Sequence, residues 1–176
     1  MTRTSGLWAL CIVALAASVA FAGSPKPGPG AKAGSTELKW LSYNQAQAIA
    51  EKTHKPMLVD IYTDWCGWCK RMDATTYHDP KVIQTLNTSF VLVRVNAESS
   101  RPVRYMKEDL TEQRLSREVF GVTGFPTTIF LKPSGELIAG QPGYLAADVF
   151  DSILRYVGSG AYAKMKYDEF MRQKNS

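Results

Sequence analysis

The chain has 176 residues, of which 45% are hydrophobic and 21% charged, a balance that fits one soluble domain with a sizeable core. Its net charge of +5 comes from lysines and arginines scattered along the chain without a basic block, which argues against nucleic-acid binding. The three cysteines have no regularly spaced histidine partners, because His54 and His78 lie at irregular distances, and this disfavours a four-ligand zinc site.

The N-terminus carries the pattern of a secretory signal peptide. Arg3 precedes an apolar stretch over residues 7–22, and this stretch ends in Ala20-Phe21-Ala22, with small residues at both positions that a signal peptidase reads. We expect residues 1–22 to be removed and the protein to be exported, to the periplasm or an equivalent compartment. An uncleaved membrane anchor is the alternative, although the stretch is shorter than the roughly 20 apolar residues of a spanning helix.

The residues that follow are typical of a flexible spacer. Residues 23–35 combine three prolines with glycine, alanine, serine and lysine, a composition that cannot bury apolar surface. We therefore expect the folded domain over residues 36–158. A C-terminal extension over residues 159–176 follows it, and the sequence leaves its role open.

The domain begins with a predicted strand, helix and strand. A short edge strand is predicted over residues 37–40, and Ser42 with Gln45 forms a capping-box pattern that begins a helix ending near Lys52. The buried face of this helix is predicted to consist of Ala46, Ile49 and Ala50. The stretch Met57–Tyr62 is almost continuously apolar, which predicts a central strand covered on both faces.

The rest of the domain continues the alternation of helices and strands. Asp79 and Pro80 have the pattern of an N-cap and a first helical residue, and Gly121 marks a helix end. The predicted elements are a helix over 80–86, a strand over 90–96, a polar segment over 97–109, a helix over 111–120, a hairpin with strands over 127–131 and 136–139, and a helix over 146–157. The last helix carries an apolar stripe at helical spacing, namely Val149, Phe150, Ile153, Leu154 and Val157. This order predicts a three-layer α/β fold.

Two cysteines at C-x-x-C spacing follow the central strand, in the segment V-D-I-Y-T-D-W-C-G-W-C-K over residues 59–70. The two intervening residues let the sulfurs of Cys66 and Cys69 meet across the first turn of a helix, where unpaired N–H groups and the helix dipole stabilise a thiolate. Cys66 is therefore expected to be the reactive member of a redox dithiol. Signal-peptide cleavage would remove Cys11 and leave these two thiols in the mature chain.

Three other interpretations of the cysteine pair stay open: a zinc site, a purely structural disulfide, or two buried inert cysteines. Zinc needs further ligands, and a disulfide that closes so short a loop removes little entropy from the unfolded chain. The neighbouring residues are typical of an exposed rim rather than a core, namely Asp64, Trp65, Gly67, Trp68 and Lys70. The rim disfavours the inert pair.

Four motifs occur in order at fitting distances: the dithiol segment, L-V-R-V-N, G-V-T-G-F-P-T-T, and a hairpin with Gly135 followed by Gly143. With these motifs the chain resembles the thioredoxin superfamily over about residues 38–157. Y-x-D-W-C and D-P-x-V make it most similar to exported thioredoxin-like reductases and to the periplasmic C-terminal domain of DsbD-type proteins. The resemblance implies a thioredoxin fold, an α/β architecture with a central mixed sheet flanked by helices. Gly67-Trp68 replaces the Gly-Pro of ordinary thioredoxin, so the redox potential stays open.

The resemblance also implies catalytic roles. Cys66 attacks a substrate disulfide, and Cys69 then resolves the mixed disulfide. Asp60, six residues before Cys66, matches the buried carboxylate that assists deprotonation of the second cysteine, and Arg94 matches a basic residue near it with an electrostatic role. A solvent-facing position for Asp60 is the alternative.

The substrate groove is assigned by the same resemblance. Pro126 matches the cis-proline opposite the dithiol, and Phe125 would offer backbone hydrogen bonds to an extended substrate segment. The other groove residues are expected to be Trp65, Gly67, Trp68 and Gly143. Tyr62 is interpreted as a core or rim residue.

The expected function is an exported thiol-disulfide oxidoreductase that reduces protein disulfides, with no cofactor and no metal. Its partners would be disulfide-containing client proteins and a membrane or periplasmic thiol electron donor, and we expect a monomer. A disulfide oxidase or isomerase of the same fold is one alternative. A chaperone or assembly factor that uses the surface around Trp65 and Trp68 is another.

Overall fold

The structure is a computed structural model that describes residues 37–174. The predicted signal peptide over residues 1–22 and the predicted spacer over residues 23–35 lie outside the described residues. None of the helices between residues 37 and 174 is long and apolar enough to cross a membrane.

Between residues 42 and 158 the predicted helices and strands occur in the predicted order, with one additional hairpin among them and one additional helix after them. In chain order they are α1 (Tyr43–Thr53), β1 (Met57–Tyr62), α2 (Gly67–Ala74), α3 (Pro80–Ser89), β2 (Val91–Asn96), β3 (Pro102–Tyr105), β4 (Glu108–Thr111), α4 (Glu112–Arg114) continued by a π-helical turn (Leu115–Val119), β5 (Thr127–Leu131), β6 (Leu137–Pro142), α5 (Ala147–Gly158) and α6 (Tyr167–Lys174). Short 3-10 turns lie at Thr76–His78 and Ala161–Ala163.

The central sheet has the strand order β2-β1-β5-β6. Strand β1 is parallel to β2 and antiparallel to β5, so the sheet is mixed, as predicted. The predicted edge strand over residues 37–40 is wrong: the pairing is reduced to one parallel bridge, in which the Leu41 N–H donates to Leu92 O at 3.0 Å. The physical reason is the next residue, because Ser42 caps α1 and turns the chain away from the sheet.

Helices cover both faces of the sheet, and each face has its own apolar cluster. Alternate residues of β1 divide between them, with Met57, Val59 and Ile61 in the cluster beside α1 and Leu58 in the cluster beside α3 and α5. Two residues predicted for helix cores are instead exposed, Ile49 by 41% and Val149 by 51%. Each lies at the edge of its apolar stripe, one residue before a buried position, so the buried face is narrower than the stripe.

The predicted polar segment over residues 97–109 is largely a two-stranded hairpin formed by β3 and β4. Its turn residues Met106 and Lys107 have positive φ angles of 46° and 82°. Tyr105 anchors the hairpin, because its ring contacts that of Phe120 at 5.7 Å and its hydroxyl donates to Gly135 O at 3.2 Å. The hairpin therefore belongs to the packed domain.

The C-terminal extension folds onto α5. The rings of Tyr167 and Phe170 each lie 5.4 Å from the ring of Tyr156. The Tyr156 hydroxyl also donates a hydrogen bond to Met165 O at 2.6 Å. Residues 161–174 thus extend the aromatic packing of the domain beyond the predicted end at residue 158.

Candidate active site

The two cysteines lie at the start of α2, shortly after the end of β1. The Cys66 N–H donates to Thr63 O at 3.1 Å, which closes a tight turn between the strand and the helix. Cys66 is the N-cap residue of α2, and its Sγ accepts the Cys69 N–H at 3.0 Å. A disulfide joins the two cysteines, whose Cα atoms are 5.3 Å apart. The predicted meeting of the sulfurs across the first helical turn is confirmed.

Both cysteines are buried when they are joined in the disulfide. Cys66 is 4% exposed and Cys69 is 6% exposed. Neither side chain therefore stands clear of the surface. Within residues 37–174 no group of three or more His, Cys, Asp or Glu side chains is arranged to hold a metal ion.

Exposed residues surround the dithiol, as the sequence predicts. Trp65 is 66% exposed and Trp68 is 57% exposed. Asp64, Gly67 and Lys70 are exposed as well. Two large aromatic surfaces therefore flank the buried disulfide, and such surfaces on a soluble protein mark interaction sites.

Each tryptophan has an aromatic neighbour from a different loop. The Trp65 ring contacts the Phe125 ring at 5.9 Å, in an edge-on arrangement. The Trp68 ring lies 5.6 Å from the Tyr144 ring. Sequence reasoning placed Phe125 in the groove and missed Tyr144, whose signal was its position directly after Gly143.

The loop before β5 contains a cis peptide bond between Phe125 and Pro126, as the resemblance implies. The Gly143 N–H donates to Pro126 O at 2.8 Å, so the two groove positions contact each other. Gly143 has a φ of +88°, which favours glycine there because a side chain would be strained. The contact between Trp65 and Phe125 brings this loop to the dithiol segment.

Asp60 is buried on β1, and its alternative position facing solvent is wrong. It is 2% exposed, and its Oδ2 accepts from Arg94 Nε at 3.0 Å. Burial raises the pKa of Asp60 to about 6, while Arg94 opposes the rise by stabilising the carboxylate. The group can therefore gain or lose a proton close to neutral pH.

Arg94 also binds a second carboxylate that sequence reasoning missed. Its guanidinium forms an ion pair with Asp73 on α2, and the Asp73 charge helps to raise the pKa of Asp60. The Asp73 side chain is 41% exposed, whereas that of Asp60 is 3% exposed. The signal that could have found it is spacing, since Asp73 follows Cys69 by one helical turn.

Two buried hydroxyl groups complete the surroundings of Asp60. Tyr77 is 5% exposed and its hydroxyl lies close enough to lower the pKa of Asp60, and Thr128 is the cross-strand partner of Asp60 and is fully buried. Within the described part of the chain neither hydroxyl has a hydrogen-bond partner of good geometry. Sequence reasoning gave no role to either residue, because nothing in their local sequence shows that they meet Asp60.

A mixed sheet with a C-x-x-C disulfide at a helix start and a cis-proline directly before β5, the antiparallel neighbour of β1, defines a thioredoxin-fold protein. The chain belongs to the thioredoxin-like domain family, which it matches over residues 43–158. The fold predicted from the sequence is confirmed.

The relatives include thiol:disulfide interchange proteins. The chain is 31% identical over 111 residues to the thiol:disulfide interchange protein DsbD of Haemophilus influenzae, a match that covers 62% of this chain and 17% of that protein. A thioredoxin from Thermus thermophilus is 26% identical with a TM-score of 0.58, over 68% of this chain and 86% of that one. The reduced C-terminal domain of Neisseria meningitidis DsbD is 25% identical with a TM-score of 0.50, over 64% of this chain and 90% of that one.

Proposed function

We propose that the protein is an exported thiol-disulfide oxidoreductase that reduces disulfides in client proteins. The observation that carries the proposal is Cys66 at the start of α2, at the end of the strand that holds the buried carboxylate of Asp60. A helix start stabilises a thiolate, and a carboxyl with a pKa of about 6 can accept a proton at neutral pH. Cys66 would therefore be the nucleophile and Asp60 the base.

In the first step the Cys66 thiolate of the reduced protein attacks one sulfur of a client disulfide. A bond forms between Cys66 and the client, the client disulfide breaks, and the second client sulfur leaves as a thiolate. The Cys69 N–H supports this step because it points at the Cys66 sulfur. The exposed rings of Trp65 and Trp68, together with Gly67, Gly143 and the Phe125-Pro126 backbone, would hold the client segment.

In the second step Cys69 gives its proton to Asp60 and attacks the Cys66 sulfur. The intramolecular disulfide forms and the client leaves with its second thiol, so two electrons have passed from the dithiol to the client. Arg94 stays protonated and acts on the charge of Asp60 alone. These steps use the two sulfurs and Asp60, without an added cofactor.

The oxidised protein then needs a thiol donor, and we propose a membrane or periplasmic one. The similarity to a thiol:disulfide interchange protein supports this partner, although the match covers 17% of that protein. Export is proposed from the apolar N-terminal segment of the sequence.

Trapping of clients tests the assigned roles of the cysteines. We expect Cys69→Ser to accumulate mixed disulfides through Cys66, because the second step is blocked, and Cys66→Ser to accumulate none. Non-reducing gels of the exported protein provide the measurement. Equal trapping by the two variants would contradict the assignment.

The direction of electron flow is tested separately by equilibrating the protein with glutathione. A strongly reducing potential is expected of a reductase, whereas a strongly oxidising one would reassign the protein as an oxidase or isomerase. A variant with both cysteines replaced by serine separates catalysis from chaperoning. If it still assists client folding as well as the wild type does, the chaperone alternative is favoured.

A further inference from the structure

Three charged side chains near the dithiol, Arg71, Asp64 and Glu98, contact uncharged neighbours. Arg71 lies beside Trp68 on α2, and its guanidinium is 5.5 Å from the Trp68 ring centre and 5.8 Å from that of Tyr144. This cation is therefore ordered by two aromatic faces. We call Arg71 with these two rings the basic rim.

The charged side chains near Trp65 have the opposite sign, because they are carboxylates. Both carboxylate oxygens of Glu98 lie 3.0 Å from the Trp65 indole Nε1, which donates to them. The Asp64 Oδ2 accepts from Asn96 Nδ2 at 3.2 Å. We call Asp64 and Glu98 the acidic rim, and both of its carboxylates are ordered by neutral donors.

None of these three charges is neutralised within residues 37–174. The ion pairs of that part of the chain join other residues, and none includes Arg71, Asp64 or Glu98. A charged side chain that is held in position but has no ion-pair partner can interact with a charged group on a partner that docks beside it. A partner can then gain from pairing it without separating an existing ion pair.

We propose that these rims select client segments by charge order: an acidic side chain on the Trp68 side of the reacting cysteine and a basic side chain on the Trp65 side. The inference rests on the proposed function and names its substrate class. The segment lies across the dithiol, its acidic residue pairs with Arg71, and its basic residue pairs with Glu98 and Asp64. Exposed charges of this kind act on the rate of encounter and fix the direction of docking.

Peptide disulfides provide the test. Each peptide has one cysteine joined to a small neutral thiol, with flanking residues that are Glu then Lys, Lys then Glu, Lys twice, or neutral. The reduced protein is expected to react about three- to tenfold faster with one mixed-charge order than with the other at low salt, as a few exposed charge pairs allow. At about 1 M salt, where screening acts over about 3 Å, the preference should nearly vanish.

Two variants identify the residues responsible. Arg71→Glu makes both rims acidic, so the preference between the two mixed orders should collapse and the peptide with two lysines should become the fastest. Glu98→Gln keeps an acceptor for Trp65 but removes the charge, so it should reduce the preference without abolishing it. Lys52→Glu is the matched control: it makes the same charge change at the end of α1, beside the start of β1 rather than its dithiol end, and should retain the wild-type preference.

Three outcomes would decide against the inference. Equal rates for both mixed orders in the wild type at low salt would overturn it while leaving the proposed function intact. An unchanged preference in Arg71→Glu would overturn the assignment to these rims. Reduction of none of the peptides would overturn the proposed function, and the inference with it.

Discussion

Two buried carboxylates in this protein, those of Asp151 and Asp60, have similar partners but differ in how completely they are hydrogen-bonded. Asp151 on α5 accepts from Arg155 Nε at 2.7 Å and from the Thr85 hydroxyl at 2.6 Å, so each oxygen has a donor. Asp60 accepts from Arg94 at 3.0 Å, but Arg94 is shared with Asp73. An aspartate and an arginine are paired in both places, but among the described residues Arg155 is paired with Asp151 alone, whereas Arg94 divides its hydrogen bonds between Asp60 and Asp73.

The difference explains how one carboxylate can remain available for chemistry. A buried carboxylate with a donor on each oxygen holds elements together, and Asp151 joins α3 to α5 in this way. Asp60 keeps two buried hydroxyls, those of Tyr77 and Thr128, nearby without good hydrogen-bond geometry. Burial, together with the nearby charge of Asp73, raises the pKa of Asp60 to about 6, although Arg94 stabilises its ionised form.

The largest expected effect is an opposite change in stability when each carboxylate is replaced. Asp151→Asn should lower the free energy of unfolding by about 1–3 kcal/mol, because it disrupts a buried hydrogen bond with Thr85 and a half-buried one with Arg155. Asp60→Asn should raise it at pH 7 by up to about 3 kcal/mol, because it removes a buried charge whose pKa is raised from 3.8 to about 6. Urea unfolding of both variants provides the measurement.

The pH dependence gives this prediction its control. The raised pKa means that ionised Asp60 weakens the fold as pH rises from about 4 to 6, so the gain from Asp60→Asn should be full above pH 6 and absent below about pH 4. A gain that persists at pH 3.5, or a loss of stability at pH 7, would contradict it.

The next effect is kinetic. Asp60→Asn should slow resolution of a mixed disulfide on Cys66 by about ten- to 100-fold, because the amide keeps the shape but cannot accept the Cys69 proton. The initial attack by Cys66 should change little. Rapid-quench kinetics with a model mixed disulfide separates the two steps. Asp151→Asn is the comparison, and it should resolve at the wild-type rate; if both variants do so, Asp60 is a structural residue.

The smallest effect concerns Tyr77. Its hydroxyl lowers the pKa of Asp60, so Tyr77→Phe should move the titration of Asp60 to higher pH, and the pH at which resolution becomes fast should rise with it. Carboxyl NMR titration checks the shift directly. Tyr43→Phe is the control, because Tyr43 is equally buried but its hydroxyl contacts Gln47 in the cluster beside α1. An identical titration in all three proteins would exclude Tyr77 from the site.

Elements with strong local signals could be predicted from the sequence. The β1 bounds Met57–Tyr62 follow from a run that is apolar except for Asp60, and the start of α3 at Pro80 follows from the Asp79 cap, whose carboxylate accepts from Lys81 N at 2.8 Å. The β3–β4 hairpin was missed because Met106 and Lys107 adopt positive φ angles without the Asn-Gly or Asp-Gly pattern of such turns.

The residues of the candidate site also differ in whether the sequence could predict them. The dithiol, Asp60, Arg94 and Pro126 lie at spacings that the family resemblance reveals. Tyr77 and Thr128 meet Asp60 only through tertiary packing, and nothing in their local sequence indicates that they do.

The contact between Tyr156 and α6 also bears on how the chain can be shortened. The family match ends at residue 158, yet the Tyr156 ring and hydroxyl are covered by residues 165–170. A protein that ended at residue 158 would expose the Tyr156 side chain to solvent on α5, the helix that Asp151 joins to α3. Such a fragment would be a poor stand-in for the whole chain in solubility and crystallisation trials, whatever its redox activity.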